Sequence, residues 1–335
     1  MKRLFFLVLQ VPFWVFAQVP VQPLPPIADP FAHTFSIVAR DSTTGEVGVA
    51  VQSHWFSVGS IVSWAEAGVG AIATQSFVNT SFGPRGLALL KAGLTAQEAA
   101  DKLIREDAGR DFRQLAIVDA KGNVAVYTGA KCVSEAGHIK GKGYSVQANM
   151  MLTDQVPRDM SRAYEASAGK PLAERMMAAL EAAQGVGGDA RGQQSAALLV
   201  VRQTASNESW KDKTVDLRVE DHPQAVSEMR RLLTVFRAYE RMNNGDLAVE
   251  HGDVEGALRE YGAAMTAFPE NVEMQFWTAV SLANAGRMEQ ALPMFKKVFS
   301  KEPNWVAMTK RIVPSGILTV SSGDLQRILS VATTK

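Results

Sequence analysis

The chain has one cysteine, Cys132, in 335 residues. An internal disulfide and the paired cysteines of structural zinc or thioredoxin-like sites are therefore excluded, and Cys132 reads as a small buried hydrophobe. Neither sign of charge is in excess: 35 Lys and Arg face 34 Asp and Glu. No broad basic field exists to draw nucleic acid or an anionic membrane, and no acidic one to draw cationic partners. No GxGxxG or Walker-type loop follows an apolar strand, so a nucleotide cofactor has no support. The five histidines show no HExxH or other ligand spacing, and neither a metal nor a cofactor is expected. Beyond the N-terminus no apolar run is long enough to span a bilayer.

The N-terminus itself reads MKRLFFLVLQVPFWVFAQ. Lys2 and Arg3, an apolar stretch from Leu4 to Phe16 and the small Ala17 are the three parts of an export signal, so residues 1–17 are expected to direct the protein to a periplasm or the extracellular space. No cysteine follows the stretch, which excludes a lipoprotein anchor. Five prolines in VPVQPLPPIADP make residues 18–33 an extended linker or propeptide, because proline neither donates to a ladder nor continues a helix.

Apolar alternation starts at Thr34. HTFSIVARD and VGVAVQS around the turn STTGE form a β-hairpin, with Thr34, Ser36 and Val38 on one face. A third strand is predicted in VGAIATQSF and a helix in PRGLALLKAG, and Thr95 with Glu98 forms a capping box for a helix to about Glu106. QLAIVDAKGNVAVYTG is a second hairpin turning at Lys121-Gly122-Asn123, where Asp119 is assigned to the turn, and YSVQANM is a further strand. Helices are expected over 154–168 and 171–184, then the glycine-rich GVGGDARGQQ, the strand SAALLVV and the alternating TVDLRVED. Hairpins and paired helices point to an α+β fold of antiparallel sheets covered by helices, not to a Rossmann fold.

From about Pro223 the pattern is helical. A helix carrying Met229, Leu232, Leu233 and Phe236 leads into GDVEGALREYGAAMTAFPEN and GRMEQALPMFKKVFSKEPN, which align at a period of 34: Gly252 with Gly286, Ala257 with Ala291, Tyr261 with Phe295, Pro269 with Pro303. This order resembles the second helix of tetratricopeptide repeats, with first helices expected at 238–250 and 272–284 and a capping helix in DLQRILSVA. Two repeats are few for a free-standing solenoid, so docking on the preceding domain or homo-oligomerisation is expected.

The segments TFSIVARDSTTGEVGVAVQS, AGVGAIATQSFVNTSFGPRGLALLKAG, RQLAIVDAKGNVAVYTGAKC and GGDARGQQSAALLVVR resemble the domain-of-unknown-function 1028 family of the N-terminal-nucleophile (Ntn) hydrolase superfamily, from Thr34 to about Asp221. The resemblance implies an αββα sandwich of antiparallel sheets over 34–221, followed by an all-α tetratricopeptide-like domain over 222–335. In that superfamily a Thr, Ser or Cys becomes the first residue of the chain. Its side chain attacks an amide carbonyl and its α-amine, with a pKa of about 8, is the base. The resemblance makes Thr34 the candidate nucleophile after removal of the leader, with a second cut at His33-Thr34 required beyond the export cleavage. Gln75, Asn79 and Asn149 are the candidate oxyanion donors, and Asn149 lies where many family members read Gln-Gly-Asn and this chain reads Gln147-Ala148-Asn149. Arg85 in GPRG and Arg191 in GDARG are the candidate carboxylate-binding groups. Ser53 and His54 are adjacent on a strand, point to opposite faces and are set aside as a dyad.

The expected activity is hydrolysis of an amide bond in a small acyl-amino compound or peptide, with the helical tail binding a protein partner. The alternative is a non-catalytic scaffold of the cell envelope that contacts protein or cell wall, since DKTVDLRVEDHPQAVSEMRRLL resembles the start of a peptidoglycan-binding segment found in some relatives.

Overall fold

The computed structural model describes residues 31–332. The expected export signal and all but the last three residues of the expected proline-rich linker or propeptide lie outside them. Strands β1 (Phe31–Ala32), β2 (Thr34–Arg40) and β3 (Val47–Ser53) come first, then a single turn of helix α1 (Gly59–Val62) and strands β4 (Ser63–Glu66) and β5 (Gly70–Phe77). Helices α2 (Phe82–Lys91) and α3 (Ala96–Glu106) follow, then β6 (Arg113–Asp119), β7 (Val124–Thr128), β8 (Gly137–Gly141) and β9 (Tyr144–Ala148). Helices α4 (Val156–Ala166) and α5 (Leu172–Gly185) lead to β10 (Ser195–Val201) and β11 (Lys213–Val219).

Local chemistry sets these elements. The β2–β3 turn is tied by the Asp41 carboxylate, which accepts from the N–H groups of Thr43 and Thr44. Asp119 closes the β6–β7 turn in the same way, accepting from Lys121 and Asn123. Thr95 and Glu98 form the expected capping box of α3. Helix α2 starts two residues earlier than its proline suggested, at Phe82. Strands β1, β4 and β8 are additions to the sequence reading; β8, GHIKG, alternates half-buried with exposed residues and is glycine-flanked, a composition with little strand signal of its own.

The strands form two antiparallel sheets. One has the order β1-β5-β6-β7, with β4 sharing with β1 the outer edge of β5; the other has the order β11-β10-β3-β2-β9-β8. Helices α2 and α3 cover the first sheet through Phe82, Leu87, Leu103, Ile72 and Ile117, while α4 and α5 cover the second through Met160, Met176, Leu180, Phe35 and Ile37. Between the sheets lies a layer of small apolar side chains, among them Val38, Val49, Ala73 and Val118. The mixed α+β class and its four layers, helix, sheet, sheet, helix, follow from these contacts.

The chain then turns fully helical. Helix α6 (Ala225–Glu250) is followed by α7 (Val254–Ala267), α8 (Val272–Asn284), α9 (Met288–Lys301), α10 (Asn304–Ile312) and α11 (Ser322–Ser330). The helix expected to carry Met229, Leu232, Leu233 and Phe236 and the one expected at 238–250 are one, because no proline interrupts them and Gly245 is accommodated. A Cβ there would lie 2.4 Å from the Tyr261 ring, which packs α7 onto α6. Gly252 and Gly286 both adopt left-handed φ of about +75° where α6 and α8 end. Ala257 and Ala291, and Tyr261 and Phe295, are buried at matching places. The first half of α6 belongs to the core of the second sheet through Ala225, Val226, Met229 and Leu233. Among the described residues no helix is long and apolar enough to cross a membrane.

Candidate functional site around Thr34

The apolar layer between the sheets ends at the start of β2, where it gives way to amides. The hairpin register pairs Thr34 with Ser53 and β1 pairs Ala32 with Ser76 of β5, so the peptide bond between His33 and Thr34 crosses from one sheet to the other. Ala32, His33 and Thr34 are wholly buried.

Two donors converge on the carbonyl oxygen of His33: the Ser53 hydroxyl at 2.5 Å and Nη2 of Arg191 at 2.9 Å. Arg191 is aimed by Asp189, which accepts from Nε at 3.0 Å and Nη2 at 2.8 Å and also receives the backbone N–H groups of Arg191 and His54. The pair is a charge-assisted fork in which a fully buried carboxylate balances the guanidinium. The Thr34 hydroxyl donates to Ala32 O at 2.7 Å.

Gln75 and Asn149 reach the other side of the same residue. Thr34 O accepts from the Asn149 backbone at 3.1 Å, from Nε2 of Gln75 at 3.3 Å and from Nδ2 of Asn149 at 3.5 Å. Both amides are oriented by Gln114, whose Nε2 donates to Ala148 O, Gly137 O and Thr128 Oγ1, and whose Oε1 accepts from Gln75 at 2.6 Å and Asn149 at 2.9 Å. Backbone carbonyls thus fix the Gln114 amide, and Gln114 fixes that of Asn149. Asn149 Oδ1 then faces Nδ1 of His33 at 2.5 Å, so this nitrogen carries the ring proton. Burial pushes the His33 pKa below its usual value and keeps the ring neutral. Ser36 joins the network between Gln75 and Gln147. The residue after each of the two amides, Ser76 at φ +73° and Met150 at +57°, has a left-handed backbone, a strain that persists only where the surroundings impose it.

Thr34, Gln75, Asn149 and Arg191 are therefore gathered in one place. Gln75 and Asn149 hold the carbonyl of Thr34 and not its hydroxyl. Asn79 and Arg85 have other partners: Asn79 bonds Asp107 and the Ser81 hydroxyl and N–H, and Arg85 forms an exposed ion pair with Glu106. Ser53, Gln114 and Asp189 were missed. Ser53 makes no dyad with its neighbour His54, but the turn between Asp41 and Glu46 sets it opposite Thr34, which is the signal that finds it. Gln114 and Asp189 reach the site through packing between elements distant in sequence, which left no local signal. Cys132 is half-buried, its thiol donating to Arg113 O and its pKa raised by burial. A cleft of about 550 Å³ between α3 and β7, lined by Gln97, Asp101, Arg105 and Tyr127, contains none of the residues around Thr34.

A family model described as a family of unknown function, DUF1028, matches residues 34–229. Among solved structures, a DUF1028 protein from Silicibacter pomeroyi is 30% identical and superposes with a TM-score of 0.55, over 64% of this chain and 88% of its own. Anbu, an ancestral β-subunit from Yersinia bercovieri, is 15% identical with a TM-score of 0.31, over 61% of this chain and 96% of its own, a likeness too loose to define a shared fold. No curated protein matches the chain significantly.

Proposed function

Because the chain belongs to the DUF1028 family, whose function is unassigned, we propose that it is the precursor of an exported Ntn-type amide hydrolase in which Thr34 becomes the nucleophile when the leader is cut at His33-Thr34. The carrying observation is the pair of donors, Ser53 and Arg191, on the carbonyl oxygen of the bond to be cut. Preorganised donors at a carbonyl stabilise the oxyanion of a tetrahedral intermediate, and each is worth about 2.7–4 kcal/mol in such sites.

The chemistry balances within this group. The Thr34 oxygen adds to the His33 carbonyl carbon through a five-membered ring and its proton passes to the departing nitrogen. Breakage of the C–N bond leaves an ester on Thr34 and a free α-amine. Water hydrolyses the ester, releasing the leader as a carboxylate and restoring the hydroxyl. In the mature protein Arg191 lies beside the new α-amine and favours its uncharged, proton-accepting form. The same donors then serve an incoming amide, either a small acyl-amino compound or a peptide. Four layers around a buried threonine at a strand start support the superfamily reading, and the 34-residue helical pattern supports a tetratricopeptide-like tail that docks a protein partner.

N-terminal sequencing of the exported protein tests the proposal. The expected first residue is Thr34, and release of amine from amide substrates should vanish in the Thr34→Ala variant. A secreted chain that keeps residues 18–33 and shows no hydrolysis would leave the envelope scaffold as the function.

A further inference from the structure

The end of the leader sits in the site as a ligand would. β1 adds to the edge of β5 by antiparallel pairing at Ser76 and Phe77, an edge that β4 occupies only from Gly70 to Ala73. This is strand addition, in which the backbone supplies affinity and side-chain pockets supply selectivity. The pocket for Ala32 admits no exposure to solvent. The pocket for His33 is specific in chemistry: the ring meets Phe77 edge-to-face at 6.0 Å, and its protonated Nδ1 points at Asn149 Oδ1, whose orientation is imposed by Gln114. An aliphatic side chain in the same place would leave that oxygen buried without a donor.

We propose that the mature cleft takes the acyl half of its substrate as an extended peptide strand that ends in a small residue followed by histidine, and that the leader is the first ligand of this kind. The assignment rests on the reading of Thr34 as nucleophile and adds the substrate class to it. The edge of β5 aligns the strand, Asn149 selects the imidazole, and Ser53 and Arg191 hold the carbonyl that is attacked. After cleavage the carbonyl becomes a carboxylate facing Arg191, so the released leader is a product inhibitor until it diffuses away.

Two measurements separate this selectivity from the catalytic proposal. In the full chain carrying Thr34→Ala, which cannot cut itself by the proposed route, backbone amide exchange at Phe31, Ala32, Ser76 and Phe77 is compared with and without His33→Leu. Exchange at least tenfold faster in the His33→Leu chain is expected, the cost of one buried unpaired acceptor, and equal exchange overturns the selectivity. In processed protein confirmed by mass to start at Thr34, the synthetic peptide IADPFAH is titrated against IADPFAL. The histidine peptide should bind at least tenfold more tightly and compete with amide substrates, and equal binding refutes the assignment. Should the exported chain keep its leader, the catalytic proposal fails while the exchange experiment still decides whether the pocket reads histidine.

Discussion

At the scale of the residue, the account turns on one carbonyl. Ser53 and Arg191 both donate to His33 O, and removing one preorganised oxyanion donor typically slows acyl transfer about 10²–10³-fold. Ser53→Ala is a small deletion within a strand, so its expected effect is leader release slowed by about that factor with the fold intact, followed by mass spectrometry over time. A rate equal to wild type would remove Ser53 from the chemistry. His33 supplies a second test, through pH. Burial lowers its pKa from an ordinary 6.5, while the side chains facing it or acting on it include Asn149, Arg191 and Asp189. A depressed pKa means that the docked leader disfavours the proton. Docking is then at full strength above pH 6.5 and weakens as pH falls below it. Protease sensitivity of the leader in the Thr34→Ala chain should rise between pH 7.5 and pH 5, and the rise should be absent when His33 is leucine.

At the scale of the element, hairpins and helices were legible because their signals are local. Asp41 and Asp119 mark the turns that they tie, Thr95 and Glu98 mark the start of α3, and the alternation in TFSIVAR gives the face on which Ser36 and Val38 lie. The register of the first hairpin was legible too, since a turn between Asp41 and Glu46 places Ser53 opposite Thr34. The site was less so. Gln114 sits in an ordinary strand run, and its role as the group that orients Gln75 and Asn149 depends on how two sheets stack, which no pattern within one strand encodes. Asn79, by contrast, looked like a catalytic amide but bonds Asp107 and Ser81. In the helical part the alignment of Tyr261 with Phe295 corresponds to two buried aromatic side chains, and Phe295 packs against Phe276 and Phe299. Phe295→Ala is expected to destabilise this part by about 3–5 kcal/mol, read by denaturant unfolding, with leader release unchanged. A loss below about 1 kcal/mol would mean that this aromatic is not the centre of the helical core.

At the scale of the whole molecule, helix α6 links the two kinds of architecture. Its first half closes the core over the second sheet through Met229 and Leu233, and Arg230 and Arg237 form two-pronged ion pairs with Glu181 and Glu174 of α5. Its second half carries Ala238 and Met242 into the helical hairpins. At the end of the sheets where Thr34 pairs with Ser53, residues 31–33 enter through β1 and seal Thr34. Loss of residues 1–33 would open that end and leave the rest of the two sheets paired. The most direct measurement is the intact mass of the purified protein beside its Thr34→Ala variant. The account predicts a wild-type chain whose first residue is Thr34 and a variant that retains the residues between the proposed export cleavage and His33. Equal masses with the leader present in both would contradict it.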